Sequence, residues 1–285
     1  MKKIPVRQIH TFQKEPDFYK SFSIRDVQAM LGGKEMIQEL HRHDYFYVLA
    51  LKTGAGSHEI DFIDRKVCDN SVYFMRPGQV HRLVLKAKST GYLMAFRNEF
   101  YFPDDNTANQ LLRKVSGIDH YRLNANEFQK LFTVLAFIFQ EYASKQERYL
   151  EAIRAGMRIF FIELGRRITD SPAKNLSPYK QEGLERFLEL LEVHVLNNKL
   201  VAEYAALLNL STYQLNAITK ETLGKTPSEL INERIILEAK RYLLATTNQI
   251  NQIADQLGYE DVSYFIRFFK KYTGHSPEAF RNNFR

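Results

Sequence analysis

Apolar and polar residues alternate over short runs in the first third of the chain, and recur every three to four residues beyond it. FYVLAL, SHEIDF, SVYFM, HRLVLKA and GYLMAF, between Phe46 and Phe96, are β-branched or aromatic and bounded by Gly, Asp, Asn or Pro. Such runs predict strands, and their close spacing predicts a small sandwich or barrel. KTGAGS, with Gly54 and Gly56, reads as a hairpin turn rather than a phosphate-binding loop. From about Asn106 the period becomes helical in ANQLLRKV, NEFQKLFTVLAFIFQEYA and RYLEAIRAGMRIFFIELGRRI. The two longer helices need a partner surface, either the barrel or each other in a dimer. DSPAKNLSPYK, Asp170 to Lys180, has no periodicity and is the linker candidate. Beyond it EGLERFLELLEVHVL, LVAEYAALL, TYQLNAITKETL, PSELINERIILEAKRYLLAT, INQIADQL, VSYFIRFFKKYT and PEAFRNN all read as helix.

Part of this helical region is written twice. Tyr204, Ala205 and Leu208 recur 49 residues later as Ile253, Ala254 and Leu257. After a turn the offset becomes 50: Ser211, Leu215, Ile218, Lys220, Gly224 and Pro227 recur as Asp261, Phe265, Phe268, Lys270, Gly274 and Pro277. Each copy has the chemistry of a helix–turn–helix. Asn209 and Gly258 tolerate the positive φ of the turn. Ser211, with Gln214, and Asp261 are N-caps. Gly224 and Gly274 stop a helix, and Pro227 and Pro277 open the next.

In the second copy Phe265, Phe268, Phe269 and Tyr272 share one helix face and are expected to meet the core. Ser263, Ile266, Arg267 and Lys270 share the other; the first copy presents Tyr213, Asn216, Ala217 and Lys220. Mixed polar, basic and small residues suit a helix in a major groove: Arg pairs with guanine, Asn with adenine, and apolar groups touch thymine methyls. An isolated helix with such a face is more often simply solvated; the duplication and the caps argue otherwise. Pro227 to Ala245 makes a helix of roughly 28 Å. That is near the separation of about 34 Å between successive major-groove faces.

Composition narrows the setting. The 285 residues suffice for one large or two ordinary domains, and 45% hydrophobic with 26% charged residues fits a folded soluble chain. The single cysteine, Cys68, has no partner for an internal disulfide, so a reducing, cytoplasmic setting is expected. MKKIPVRQIHTFQKEPDF has early charge but no apolar core, unlike a secretory signal. No apolar run is long enough to cross a membrane; LFTVLAFIFQEYA comes nearest. The net charge of +7 favours acidic partners, but residues 181–285 hold 12 basic against 13 acidic residues. Contact with DNA there must come from charges placed on one face.

RIILEAKRYLLATTNQINQIADQLGYEDVSYFIRFFKKYTGHSPEAFR, Arg234 to Arg281, carries a specific signature. Residues 181–285 resemble the DNA-binding domain of AraC-type (AraC/XylS) transcription regulators. The resemblance implies seven helices, with two helix–turn–helix units joined by a long helix. It implies base-reading positions at Tyr213, Asn216 and Ala217, and at Val262, Ser263, Ile266 and Arg267. The first unit departs from the family pattern at Thr219, where Phe is usual, at Thr222, and at Ala217, where Arg is frequent. Thr212, Tyr264 and Lys271 complete the candidate contact set, with Lys220, Lys270 and Lys271 expected on phosphate.

ELHRHDYFYVLALKTGAG and VYFMRPGQVHRL resemble the cupin-like sensor domain that often precedes this DNA-binding domain. On an extended strand Glu39, His41, His43, Tyr45 and Tyr47 point to one side, and His81 follows a Pro–Gly turn. His41, His43 and His81 match the imidazole positions of metal-binding cupins, but Tyr47 or Val48 stands where the carboxylate would be; Glu39 is a substitute from the other side. Three readings stay open: a metal site, a small-effector pocket lined by His41, His43, Tyr45, Tyr47 and His81, and histidines satisfied by the backbone. No nucleophile–base pairing argues for catalysis, and no cofactor is implied.

The expectation is an α+β chain: a cupin-like β-barrel with an N-terminal arm (1–105), a helical dimerisation segment (106–169), a linker (170–180) and an all-α DNA-binding domain (181–285). Its function would be that of a non-enzymatic transcription regulator, either activator or repressor, binding double-stranded DNA as a homodimer under control of a small effector. RNA polymerase is a further candidate partner. The alternative is a metal-binding cupin sensor or enzyme with a DNA-binding tail.

Overall fold

In the computed structural model, residues 6–7, 9, 21–101, 106–168 and 178–284 are described. They fall into two compact units, one within residues 5–169 and one within 170–285. Most of the expected N-terminal arm, and residues 170–177 of the expected linker, lie outside the described residues.

The N-terminal unit contains β1 (Val6–Arg7), β2 (Phe22–Asp26), β3 (Met36–His43), β4 (Phe46–Thr53), β5 (Gly56–Ile60), β6 (Ile63–Val67), β7 (Ser71–Met75), β8 (Val80–Leu85), β9 (Thr90–Phe96) and β10 (His120–Arg122). They make two five-stranded sheets, ordered β1-β3-β8-β5-β6 and β10-β7-β4-β9-β2. Alternation along β4 explains the layering. Tyr47, Leu49 and Leu51 face the first sheet and join Ile60, Leu83 and Leu85 in one core. Val48 and Ala50 face the other way, into a second core shared with helices. Those helices are α3 (Asn106–Ser116), α4 (Ala125–Ser144) and α5 (Tyr149–Gly165); α1 (Val27–Leu31) and α2 (Asn98–Tyr101) are short. The long helices thus pack on the second sheet and on each other within one chain.

Three strand expectations change. Both edges of β4 are taken by β7 and β9, so β5 pairs with β6 and β8 instead. Gly54 and Gly56 therefore carry the chain from one sheet to the other and do not close a hairpin. SHEIDF stops being strand at Ile60, because Asp61 and Phe62 take positive φ in the turn to β6. A bulge between Gln38 and His41 switches faces in β3: His41 and His43 are buried, while Glu39 is exposed. Glu39 does not join the histidine face.

The C-terminal unit is helical throughout: α6 (Pro178–His194), α7 (Val201–Leu207), α8 (Thr212–Leu223), α9 (Pro227–Ala245), α10 (Ile250–Gln256), α11 (Val262–Thr273) and α12 (Pro277–Phe284). The caps are those the sequence predicts. Ser211 and Gln214 form a capping box, as do Thr226 and Glu229 with Pro227 opening α9. Gly224 and Gly274 close α8 and α11 at φ +67° and +78°. Ile231 and Ile235 of α9 belong to a core with α6, α7 and α8. Ile236, Ala239 and Leu243 belong to another with α10, α11 and α12.

Helices α4 and α5 of the N-terminal unit cross closely. At Gly156 on α5 an added Cβ would lie 2.7 Å from Ile138 Cγ1 on α4. Gly156→Val should overpack this crossing and destabilise the unit by about 1–3 kcal/mol, read as a lower urea midpoint for unfolding of the chain.

Candidate functional site

Helices α8 and α11 stand at equivalent places in the two copies and hold the candidate contacts on outward faces. On α8, Thr212, Tyr213, Ala217 and Lys220 are exposed, Tyr213 at 81%, and Asn216 is half-buried. On α11, Ser263, Tyr264, Arg267, Lys270 and Lys271 are exposed, with Val262 and Ile266 half-buried. The opposite faces hold the helices down, through Leu215 and Ile218 on α8 and through Phe265 and Phe269 on α11. Thr219 and Thr222 are also buried, and their hydroxyls donate to the Asn216 and Ile218 carbonyls, so the departures from the family pattern leave no unsatisfied polar group there.

Tyr272 departs from expectation. It is 42% exposed, its ring lies tilted against Phe268 at 4.9 Å between centres, and its hydroxyl accepts a 2.7 Å bond from Asn232 Nδ2. It laps the edge of the core instead of filling it. Among the described residues the charged neighbour of Arg267 is weak: its Nη2 is 3.9 Å from Asp261 Oδ2, and Asp261 also caps α11 by accepting from the Ser263 amide. An exposed pair at that distance costs little to break, so the guanidinium is available to another partner.

In the N-terminal unit the paired strands bring His41 opposite His81. His81 Nε2 lies 2.9 Å from His43 Nε2 and 3.0 Å from His41 Nε2. The three ligand-type nitrogens all lie within 4.8 Å of one another, so these residues could hold a metal ion. A fourth histidine, His58 on β5, places Nε2 2.9 Å from His81 Nδ1. Sequence reading passed over His58; its signal was the period of two in SHEIDF, which turns it inward with Ile60. Tyr45 and Tyr47 are buried beside His43, Tyr47 stacking on it at 5.2 Å. The Tyr47 hydroxyl and His58 Nδ1 are buried without a hydrogen-bond partner among the described residues.

Burial fixes the protonation of this cluster. It lowers His41 to about 4, partly countered by the Glu39 carbonyl. His43 and His58 fall to about 3, first through burial and then through neighbouring His and Arg charges. His81 falls well below its ordinary value for the same reasons, and burial raises Tyr45 to about 12. At neutral pH all four imidazoles are therefore neutral. His41 Nδ1 is 2.6 Å from the Glu39 carbonyl, which only accepts, so Nδ1 carries the hydrogen and Nε2 is a bare lone pair. No organic group fits between nitrogens 2.9 Å apart. A cavity of about 550 Å³ lies elsewhere in the unit, lined by Ile24, Arg25, Met30, Phe139 and Tyr142 among others, and by none of the expected sensor residues.

Residues 204–283 match the family model described as a helix-turn-helix domain. The HTH-type transcriptional activator RhaS of Yersinia pseudotuberculosis serotype I is 23% identical over 273 residues, covering 93% of this chain and 97% of that protein. RhaS of Pectobacterium carotovorum subsp. carotovorum is 24% identical over 276 residues, covering 95% and 97%. Among solved structures, ToxT from Vibrio cholerae O395 is 14% identical with a TM-score of 0.43, covering 92% of this chain and 98% of that one. Among the described residues no helix is long and apolar enough to cross a membrane.

The depressed imidazoles carry a pH signature. Between about pH 4 and 6.5 the unfolded chain binds protons that the folded cluster does not, so stability rises with pH across that window and is lost on acidification. Thermal melts of chelator-treated protein should show the midpoint falling from pH 6.5 toward 4. Unfolding should take up roughly one proton per buried imidazole. A flat midpoint would contradict the neutral cluster.

Proposed function

We propose that this chain, a DNA-binding transcription regulator whose C-terminal unit is an AraC-type helix–turn–helix domain, reads two adjacent major-groove segments with α8 and α11. One observation carries the reading: two capped helices at a 50-residue offset expose matching positions on opposite halves of α9. Arg267 reads a base edge, aided by Ser263, Ile266 and Val262, and Tyr213, Asn216 and Ala217 do so from α8. Thr212, Tyr264, Lys220, Lys270 and Lys271 flank these faces and meet the backbone phosphates. The chain works in the cytoplasm, activates transcription like the relatives it resembles, and engages RNA polymerase when bound.

The sensor unit receives a small-molecule signal at the cluster of His41, His43, Tyr45, Tyr47 and His81, where the orphaned Tyr47 hydroxyl offers a bond to a ligand. Binding there opens the imidazole contacts and biases how two copies hold their DNA-binding units. The copies pair through α4 and α5, whose Phe137, Ile159 and Ile162 are exposed apolar residues.

A second reading of the same cluster is favoured by the converging Nε2 atoms. Two nitrogens about 2.05 Å from one ion, at right angles, are about 2.9 Å apart; the observed separations are 2.9 and 3.0 Å. His41, His43 and His81 fit a divalent first-row transition metal, and imidazole is a suitable donor for Zn, Cu, Fe or Ni. His58 would orient His81 from the outer shell.

Two measurements test these readings. Selection of random duplexes by the full chain should recover two boxes about one helical turn apart. Arg267→Ala should then lower discrimination at one base pair by about 1–3 kcal/mol, and an unchanged base preference would remove Arg267 from the readout. For the cluster, Co(II) added to chelator-treated protein should give a stoichiometric visible spectrum that is lost in His81→Ala and weakened about 10–100-fold in affinity in His58→Gln. No spectrum in the wild-type chain would leave the organic effector as the signal.

A further inference from the structure

The two helix–turn–helix units share α9, but a shared rod does not by itself fix how they are turned relative to each other. Each has its own small core, and Leu196, Tyr259 and Phe268 pack against both. In that seam sits the ammonium of Lys199, in the loop between α6 and α7. Its Nζ donates to the Leu196 carbonyl at 3.2 Å and to the Gly258 carbonyl at 2.8 Å, and lies 5.0 Å from the Tyr259 ring centre. Leu196 follows the C-terminus of α6, in the first unit. Gly258 follows the C-terminus of α10, in the second, where it forms the turn into α11. One cation therefore serves the negative ends of two helices from different units.

The backbone is shaped for this contact. Gly258 has φ +70°, and a Cβ there would lie 2.4 Å from the Leu196 carbonyl oxygen and 2.7 Å from Lys199 Nζ. Only glycine allows the turn to approach so closely. The corresponding loop of the second unit shows the contrast. At the 49-residue offset Lys199 becomes Asn248, whose carbonyl accepts from Arg281 at 2.7 Å. That tie stays inside the second unit, whereas the Lys199 tie crosses between the two.

We propose that Lys199 is a positioning residue that sets the box spacing the two recognition helices can read, by pinning the turn before α11 to the loop before α7. Pinned, α8 and α11 move as one body. One added base pair displaces a box by about 3.4 Å and rotates it by about 35°, and a rigid pair cannot follow. Without the pin, the second unit pivots on α9, so mis-spaced sites lose less and correctly spaced sites gain less.

This inference rests on the reading of two boxes by α8 and α11. The test uses the full chain and the selected two-box duplex, alongside duplexes with one base pair added or removed between the boxes. The wild-type chain should prefer the selected spacing by at least about tenfold. Lys199→Met keeps the stem over Tyr259 but loses both hydrogen bonds, and should cut that preference about fivefold or more without changing which bases are chosen in either box. Lys199→Arg should restore most of it. An unchanged spacing preference in a folded Lys199→Met chain would overturn the proposal. So would failure of both Lys199→Met and Lys199→Ala to fold, since Lys199 would then be a core-stability residue. Recovery of a single box, or of none, by the wild-type chain would instead bring down the two-groove reading and this inference with it.

Discussion

Helix α9 has to bury against two cores at once. Its Ile231 and Ile235 complete one, and its Ile236, Ala239 and Leu243 complete the other. The shared helix therefore couples the two small cores through one continuous backbone. The same helix carries a buried Arg241, 1% exposed, paired with Glu238, which also meets Arg234. Such a chain of ion pairs adds little net stability but penalises any packing that would leave one member alone. The outward faces of α8 and α11 are free to carry polar and basic residues, because Leu215 and Ile218 on one and Phe265 and Phe269 on the other anchor them from the inward side.

The N-terminal unit follows a different rule. Two sheets and a helical layer leave an apolar interior, and into it the strands turn four histidines. Burial keeps them uncharged, and their register brings ring nitrogens into contact. Beside these imidazole contacts, the Tyr47 hydroxyl and His58 Nδ1 are buried without a partner among the described residues, which is costly.

Much of this was legible along the chain. The helices of the C-terminal unit follow from period, caps and turn residues; the boundaries at Ser211, Gly224, Pro227, Asp261 and Gly274 are written in residue types that act over one turn. The inward pointing of His41, His43 and His81 was legible too. Glu39 was misplaced because a bulge, invisible to strict alternation, reverses the face of β3 at that point. The sheet membership of β5 was misread because a short Gly-rich connection looks the same whether it joins neighbours in one sheet or strands of two. Tyr272 was assigned to the core because helical phase does not reveal where a core ends.

The sequence by itself determined what depends on neighbours within about one helical turn: helix limits, turn conformations and which residues share a face. The tertiary structure alone decided which distant groups meet. His58 joins His81 across 23 residues, and Lys199 reaches Gly258 across 59. Those meetings depend on strand register and on how two cores seat against one helix. Such long-range packing is set by the whole apolar interior, and no local run of residues encodes it.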